Sequence, residues 1–310
     1  MIGTDLSVAK QLLEADKLVA IPTETVYGLA ANALHPTAVL SIYKAKNRPS
    51  FDPLIVHVNS VDWVKKLTLD FPKKAQELMD SFWPGPLTLI LPKSAMVPDI
   101  VTSGLGFVGV RMPRHPLTKE LLSNLDFPLA APSANPFSYV SPTTAQHVED
   151  QLGNKVDYII DGGPCVVGLE STIVSFESDI PKILRFGGID QEAIEKVIGS
   201  VDLSITNNSN PTAPGQLDKH YATGKPTYLV NQPYELLLFN QEDVFTIGYG
   251  EGLFDYNLSP TTDLDEMAQN LFTALRLADK SKRADVAISV APHVGIGKAI
   301  NDRLNRASKD

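Results

Sequence analysis

The sequence predicts a mixed α/β protein in two unequal domains, and three observations predict it. Apolar runs of strand length alternate with stretches of helical period, but strands outnumber what simple βαβ alternation supplies. A tract at 199–220, with Asn207-Asn208-Ser209-Asn210-Pro211 and Pro214-Gly215, has no periodicity and is rich in turn formers, as a linker should be. Beyond it strand and helix alternate cleanly, which suits a small parallel sheet. The expected division is 1–198 for the larger domain, 199–224 for a linker and 225–310 for the smaller domain.

The elements follow in order. Leu6, Ala9, Leu12 and Leu13 keep helical spacing over 5–16, ahead of the apolar strand Leu18-Val19-Ala20-Ile21. In Pro22-Thr23-Glu24-Thr25-Val26-Tyr27-Gly28, Thr23 and Thr25 stand where a helix should start, with hydroxyls able to cap free backbone N–H groups. Pro36 suits the first turn of a helix to about Lys46, with Val39, Leu40 and Tyr43 on its apolar side. A strand at 54–58, helices at 61–67 and 72–82, and strands at 87–91 and 107–112 come next. The rigid turn Trp83-Pro84-Gly85-Pro86 introduces the strand at 87. Helix 116–125, strand 129–131 and a helix to about Leu152 follow, the last capped from Ser141, Thr143 and Thr144. Strands at 157–161, 171–176 and 182–185 complete the larger domain. The smaller one reads as strand 227–230, a short helix at 233–238, strand 244–248, helix 263–279, strand 284–290 and a helix from about 295. Asp263 with Glu266 is a capping signal for the long helix.

The totals exclude several function classes. With 310 residues, 43% hydrophobic and 20% charged, the chain has an ordinary globular composition and enough length for a real core. No window is long and apolar enough to span a bilayer, and the N-terminus lacks the regions of a signal peptide, so no membrane partner and a cytoplasmic location are expected. The single cysteine, Cys165, rules out an internal disulfide and thiolate metal clusters, and is read as inert. No metal-ligand pattern is present, so no protein-bound metal is expected. A net charge of −9 disfavours broad nucleic-acid binding, while leaving room for a local basic pocket that takes a small anionic ligand.

That pocket is expected between two blocks: residues 21–30, and Lys44-Ala45-Lys46-Asn47-Arg48-Pro49 with the strand that ends in His57. Cations at a helix end also meet the dipole favourably, but Arg48 before a proline adds a planar fork suited to phosphate. Arg111 at the end of a strand needs a partner or ligand if buried. Ser133 and Asn135 follow a strand of small residues, where α/β sheets bind ligands. Ser103 and Thr102 make a hydroxyl-rich turn, Ser171 and Thr172 lie on a strand face, and Arg185 with Gly187-Gly188 closes the domain. His220-Tyr221 in the linker suggests a loop that folds back over the pocket. Gly248-Tyr249-Gly250-Glu251-Gly252 matches no dinucleotide or Walker pattern and is read as a loop.

Eight blocks in order carry a resemblance. They are Pro22-Thr23-Glu24-Thr25-Val26-Tyr27-Gly28-Leu29, Lys46-Asn47-Arg48-Pro49, Pro53-Leu54-Ile55-Val56-His57, Trp83-Pro84-Gly85-Pro86-Leu87-Thr88, Val110-Arg111-Met112-Pro113, Ala131-Pro132-Ser133-Ala134-Asn135, Ser141-Pro142-Thr143 and Ser171-Thr172-Ile173-Val174. Residues 1 to about 190 thus resemble the YrdC-type domain of threonylcarbamoyl-AMP synthases. The linker and appended α/β domain resemble the two-domain branch of that family.

The resemblance implies an open twisted mixed sheet with a concave basic face, and a smaller Rossmann-like α/β domain. It implies a nucleotidyl transfer in which L-threonine, bicarbonate or CO2, and ATP with Mg2+ give threonylcarbamoyl-AMP and pyrophosphate. The product would pass to a tRNA threonylcarbamoyl transferase for adenosine modification, with any direct contact to tRNA weak. By the same resemblance Thr23, His57, Arg111 and Ser171 would hold threonine. Lys46, Arg48, Ser50, Ser103, Ser133, Asn135, Ser141, Arg185 and Tyr221 would face the nucleotide, with Lys46 and Arg48 the catalytic cations. Two other readings compete: a double-stranded RNA-binding or ribosome-assembly module, and a carbamoyl-transfer domain like that of hydrogenase-maturation proteins. The latter carry zinc fingers, which one cysteine cannot build.

Overall fold

The computed structural model describes residues 1–205, 221–240 and 242–309. The larger domain begins with β1 (Ile2–Gly3), α1 (Leu6–Glu14), β2 (Val19–Ile21), β3 (Gly28–Asn32), α2 (Pro36–Lys46), β4 (Ile55–His57), α3 (Val61–Leu67) and α4 (Lys73–Phe82). It continues with β5 (Leu87–Pro92), α5 (Asp99–Thr102), β6 (Phe107–Arg111), α6 (Pro116–Ser123), β7 (Leu129–Ala130), α7 (Ala145–Leu152) and β8 (Tyr158–Ile160). Last come β9 (Thr172–Ser175), β10 (Lys182–Arg185), α8 (Gln191–Ile198) and β11 (Asp202–Leu203). The strands form one open mixed sheet in the order β1-β8-β2-β3-β7-β4-β6-β5-β9-β10-β11. Its central strands are short and buried on both faces, as a sheet covered by helices requires.

Local chemistry accounts for most boundaries. Asp5 caps α1 by accepting from Ser7 and Val8 N–H, Thr144 alone of the three expected hydroxyls caps α7, and Asp190 caps α8. Pro36 opens α2, and Asn47 closes it in the left-handed conformation, φ +52°. On α2 it is Ile42 that joins Val39 and Tyr43 in the core, whereas Leu40 faces solvent.

The main correction lies just after β2. Thr23 and Thr25 do not open a helix: residues 22–27 turn the chain back, and β3 pairs antiparallel with β2 through Val19↔Ala30, Ala20↔Leu29 and Ile21↔Gly28. The Thr23 hydroxyl donates to Val26 O at 2.6 Å and accepts from Thr25 and Val26 N–H at 3.2 Å, so it pins a tight turn. The segment Gly28-Leu29-Ala30-Ala31-Asn32 lacks β-branched residues, and its strand character comes from being paired on both sides, by β2 and β7.

The smaller domain comprises β12 (Thr227–Val230), a 3-10 turn at Pro233–Leu238, β13 (Val244–Gly248), β14 (Tyr256–Asn257), α9 (Leu264–Lys280), β15 (Asp285–Ser289) and α10 (Gly297–Ala307). Its sheet, ordered β12-β15-β13-β14, is parallel throughout, as alternation predicted. Asp263 caps α9 through Glu266 N–H, but the Glu266 carboxylate turns to Ser259 Oγ, so the reciprocal half of the capping box is absent.

The two domains share packing. Val26, Val140 and Leu169 of the larger domain belong to the apolar cluster built around α9 and α10 of the smaller one. Gly168, φ +78°, sits so close to α9 that a Cβ there would lie 2.4 Å from Gln269 Cα. Arg276 of α9 donates to the carbonyls of Val140 and Ser141 and, at 3.0 Å, to Gln151 Oε1. Among the described residues no helix is long and apolar enough to cross a membrane.

Candidate active site

One cavity opens where the turn after β2, the end of α2, β4, β6, the turn after β7 and residues 170–171 converge. Eight of the expected residues line it: Thr23, Arg48, His57, Arg111, Ser133, Ser171, Arg185 and Tyr221. Five others, Lys46, Ser50, Ser103, Asn135 and Ser141, stand outside that lining. Thr25, Val26, Gly28, Ile55, Ala131, Pro132 and Glu170 line the cavity without having been singled out as site residues. Thr25, Val26, Gly28, Ile55, Ala131 and Pro132 fall within the quoted blocks, and Glu170 directly precedes one.

Strand register sets the deeper wall. β4 and β6 run parallel with His57 opposite Arg111, so both side chains emerge at one edge of the cavity. Arg111 donates to Glu24 Oε1 at 2.6 Å and, more weakly, to Gly85 O at 3.4 Å. The turn at 83–86 thus serves the arginine as well as the strand that follows it. Burial alone would push the Glu24 carboxyl up, but the Arg111 guanidinium and the Arg114 N–H hold it below the usual range. Burial, helped by Arg111, lowers His57 to about 3, so its imidazole is neutral at physiological pH.

The cations divide by environment. Lys46 is buried, and its ammonium donates to Ser133 O and Asn135 O at 2.5 Å each, which ties the end of α2 to the turn after β7. Burial first, then the neighbouring Arg48, lowers its pKa well below the lysine value. Arg48 donates to the carbonyls of Asp52 and Pro53 and lies 2.8 Å from Asp52 Oδ1. Burial raises the Asp52 carboxyl, against the pull of Arg48 and Lys46. Arg185 clasps Ser171, with Nε and Nη2 on its carbonyl at 3.0 and 2.9 Å and Nη2 on its hydroxyl at 3.1 Å. Burial lowers Arg185 to about 10, which leaves it a cation at neutral pH.

The remaining expected residues shape the surroundings. The Ser141 hydroxyl donates to Glu170 Oε1 at 2.6 Å, and the Asn135 amide donates to Pro136 O and Tyr139 O. Ser103 closes α5 in the left-handed conformation, φ +54°, while the Thr102 hydroxyl donates inward to Leu105 O. Ser50 lies in an exposed turn. Tyr221 is buried against the smaller domain, stacked on Phe272 with ring centroids 5.4 Å apart. Pro214, Gly215 and His220 lie outside the described residues.

Comparison with known proteins fits this geometry. A family model described as telomere recombination (Sua5, YciO and YrdC) matches residues 11–187, and the threonylcarbamoyl-AMP synthase C-terminal domain matches 189–309. The threonylcarbamoyl-AMP synthase of Pyrococcus abyssi is 40% identical, with 98% of this chain and 94% of that protein covered. The chain belongs to the threonylcarbamoyl-AMP synthase family. The Bacillus subtilis member is 41% identical over 98% of this chain and 92% of its own. The crystal structure of P. abyssi Sua5 complexed with L-threonine superposes with a TM-score of 0.93 at 38% identity, covering 98% of this chain and 94% of that one. The family assignment makes the chain an enzyme, and the superposition extends over both domains.

The family's C-terminal model starts at 189, yet the structure places 189–203 with the larger domain. Ile189, Ile194, Ile198 and Val201 pack into its core, and β11 extends its sheet beside β10.

Proposed function

We propose that this threonylcarbamoyl-AMP synthase joins L-threonine, bicarbonate or CO2, and ATP in the cavity described, releasing pyrophosphate. The observation that carries this reading is the gathering of Arg48, Arg111 and Arg185 with His57, Thr23 and Ser171 around one buried cavity. Arginine forks suit a carboxylate and a polyphosphate, and both substrates of the adenylation step are anionic. Among the described residues no serine or threonine hydroxyl is hydrogen-bonded to the neutral His57.

The chemistry needs no protein nucleophile. The neutral threonine amine adds to CO2 with release of a proton, or condenses with bicarbonate with loss of water, to give a carbamate, and a carbamate oxygen attacks the α-phosphorus. The bond from that phosphorus to the β-bridging oxygen breaks, and pyrophosphate leaves with the electron pair. The enzyme's share is alignment of the two anions and neutralisation of charge as the leaving group forms. Arg111, held by Glu24, would take the threonine carboxylate, with Thr23, His57 and Ser171 around the amino acid. Arg48, Ser133, Arg185 and Tyr221 would face the nucleotide, and Lys46, Asn135 and Ser141 would hold the backbone that surrounds it. Tyr221, in the stretch expected as the linker, would cover the nucleotide side of the site with its own ring.

Mg2+ would arrive on the phosphates of ATP, and its chemistry is to shield their charge. The lining fits that role: the Glu170 carboxylate is engaged by Ser141 and Arg303, and Mg2+ commonly relies on substrate phosphates. The product would feed a tRNA threonylcarbamoyl transferase in the cytoplasm.

The test is pyrophosphate release from ATP and bicarbonate, with and without L-threonine, beside the Arg48→Ala variant. Threonine-dependent release that the variant loses supports the reading. Release from a folded protein that is indifferent to threonine overturns it.

A further inference from the structure

Arg303 of α10 is wholly buried, although it comes from the smaller domain. Its Nε and Nη2 both donate to Glu170 Oε2 at 3.1 Å, and its Nη1 to Asp302 Oδ2 at 3.0 Å. Its guanidinium carbon stands over the Tyr221 ring, 5.5 Å from the centroid. Glu170 and Tyr221 both line the cavity, and the other oxygen of Glu170 receives the Ser141 hydroxyl at 2.6 Å. One guanidinium thus reaches two walls of the site across the domain interface.

We infer that Arg303 is a positioning residue for the nucleotide side of the site, acting on Ser141 through Glu170 and on the Tyr221 ring directly. Taking two charges out of water is expensive, and a buried ion pair is by itself weak evidence for stability. Its geometric effect is specific. A planar fork that bonds Glu170 along one edge and faces an aromatic ring sets two directions at once, which an ammonium cannot do. Tyr221, Glu170 and Asp302 together raise the Arg303 pKa despite its burial, so the cation persists at working pH. On this account the smaller domain completes the site, and does not only stabilise the larger one.

The inference rests on the proposed synthase reading, and the experiment separates the two. Full-length wild type, Arg303→Met and Arg303→Lys are compared by pyrophosphate release, by calorimetric titration of L-threonine and by thermal unfolding. The expected result is a rise of about tenfold or more in the ATP KM of Arg303→Met, with the threonine Kd within about twofold of wild type. Adding Ser141→Ala to Arg303→Met is expected to change the ATP KM far less than Ser141→Ala does in wild type, because the two act in series. Should Arg303→Met fail to fold, Arg303→Lys carries the test, with the same selective rise expected. An unchanged ATP KM, or equal losses for both ligands, overturns the inference. Wild-type release that ignores threonine would instead overturn the synthase reading, whatever the variants do.

Discussion

Arg111 Nη2 lies 2.6 Å from Glu24 Oε1, joining the end of β6 to the turn after β2 across 87 residues of sequence. Both side chains are almost fully buried, and the second Glu24 oxygen is taken by the Arg114 N–H. Glu24→Ala leaves a buried guanidinium without its counter-charge, which costs about 3–5 kcal/mol of stability. Glu24→Gln keeps the shape and one acceptor, and should cost less. Both variants should bind L-threonine more weakly, because Arg111 loses its fixed direction. Urea unfolding and calorimetric titration check the two effects separately.

His57 stays neutral in the fold down to about pH 3, whereas in the unfolded chain it takes up a proton below its ordinary value of 6.5. The unfolded state therefore binds more protons in that window, and stability falls as pH drops through it. Between pH 6.5 and 5 one such histidine is worth about 2 kcal/mol. His147, lowered to about 4 chiefly by burial, adds to the same slope. Denaturant titrations at pH 7 and pH 5 should show His57→Gln losing less stability on acidification than wild type does.

Gly187 has no room for a methyl group. A Cβ there would lie 2.3 Å from Glu170 O and 2.4 Å from Ser171 C and Thr172 N, all of them backbone beside the cavity. Gly187→Ala should cost about 1–3 kcal/mol through overpacking. It should also weaken threonine binding by displacing Ser171. Gly106, with open space around the same position, is the control, and Gly106→Ala should leave binding unchanged.

Tyr221 carries ring stacking on Phe272 and lines the cavity at the same time. Tyr221→Ala should lose about 3–5 kcal/mol of stability, typical for deleting a buried aromatic, and should weaken nucleotide binding. Tyr221→Phe keeps the ring and should retain most of both. Thermal unfolding with and without nucleotide distinguishes the two variants. Unchanged nucleotide affinity in Tyr221→Ala would mean that the linker is only a tether.

Much of the fold was legible in the residues because its causes are local. Helix α2 starts and ends where Pro36 and the lysine-rich end at Lys46 place it, and the parallel sheet of the smaller domain follows from strict alternation. The hairpin from β2 to β3 was misread as strand into helix. Gly28-Leu29-Ala30-Ala31-Asn32 has no strand propensity of its own, and Thr23 and Thr25 look the same whether they cap a helix or pin a turn. β11 has a similar cause: two exposed residues make a strand at 202–203 only because β10 lies beside them, whereas α8 carries its own local signal in the Asp190 cap and the spacing of Ile194 and Ile198.

The candidate site divides along the same line. Thr23, Arg48, His57, Arg111, Ser133 and Ser171 sit in short blocks whose residue types already suggest an anion pocket, and the fold brings them, with Arg185, to one cavity. By itself the sequence determined the two-domain α/β class, the family and the cationic character of the pocket, since composition, periodicity and ordered blocks are properties of the chain alone. Only the tertiary structure decided where each charge is spent. Lys46 is committed to the carbonyls of Ser133 and Asn135, Glu24 to Arg111, and Arg303 to Glu170 from 133 residues away. Those assignments depend on which side chains meet after burial, where an ionised group needs a partner at hydrogen-bond distance and sequence separation carries no information about it.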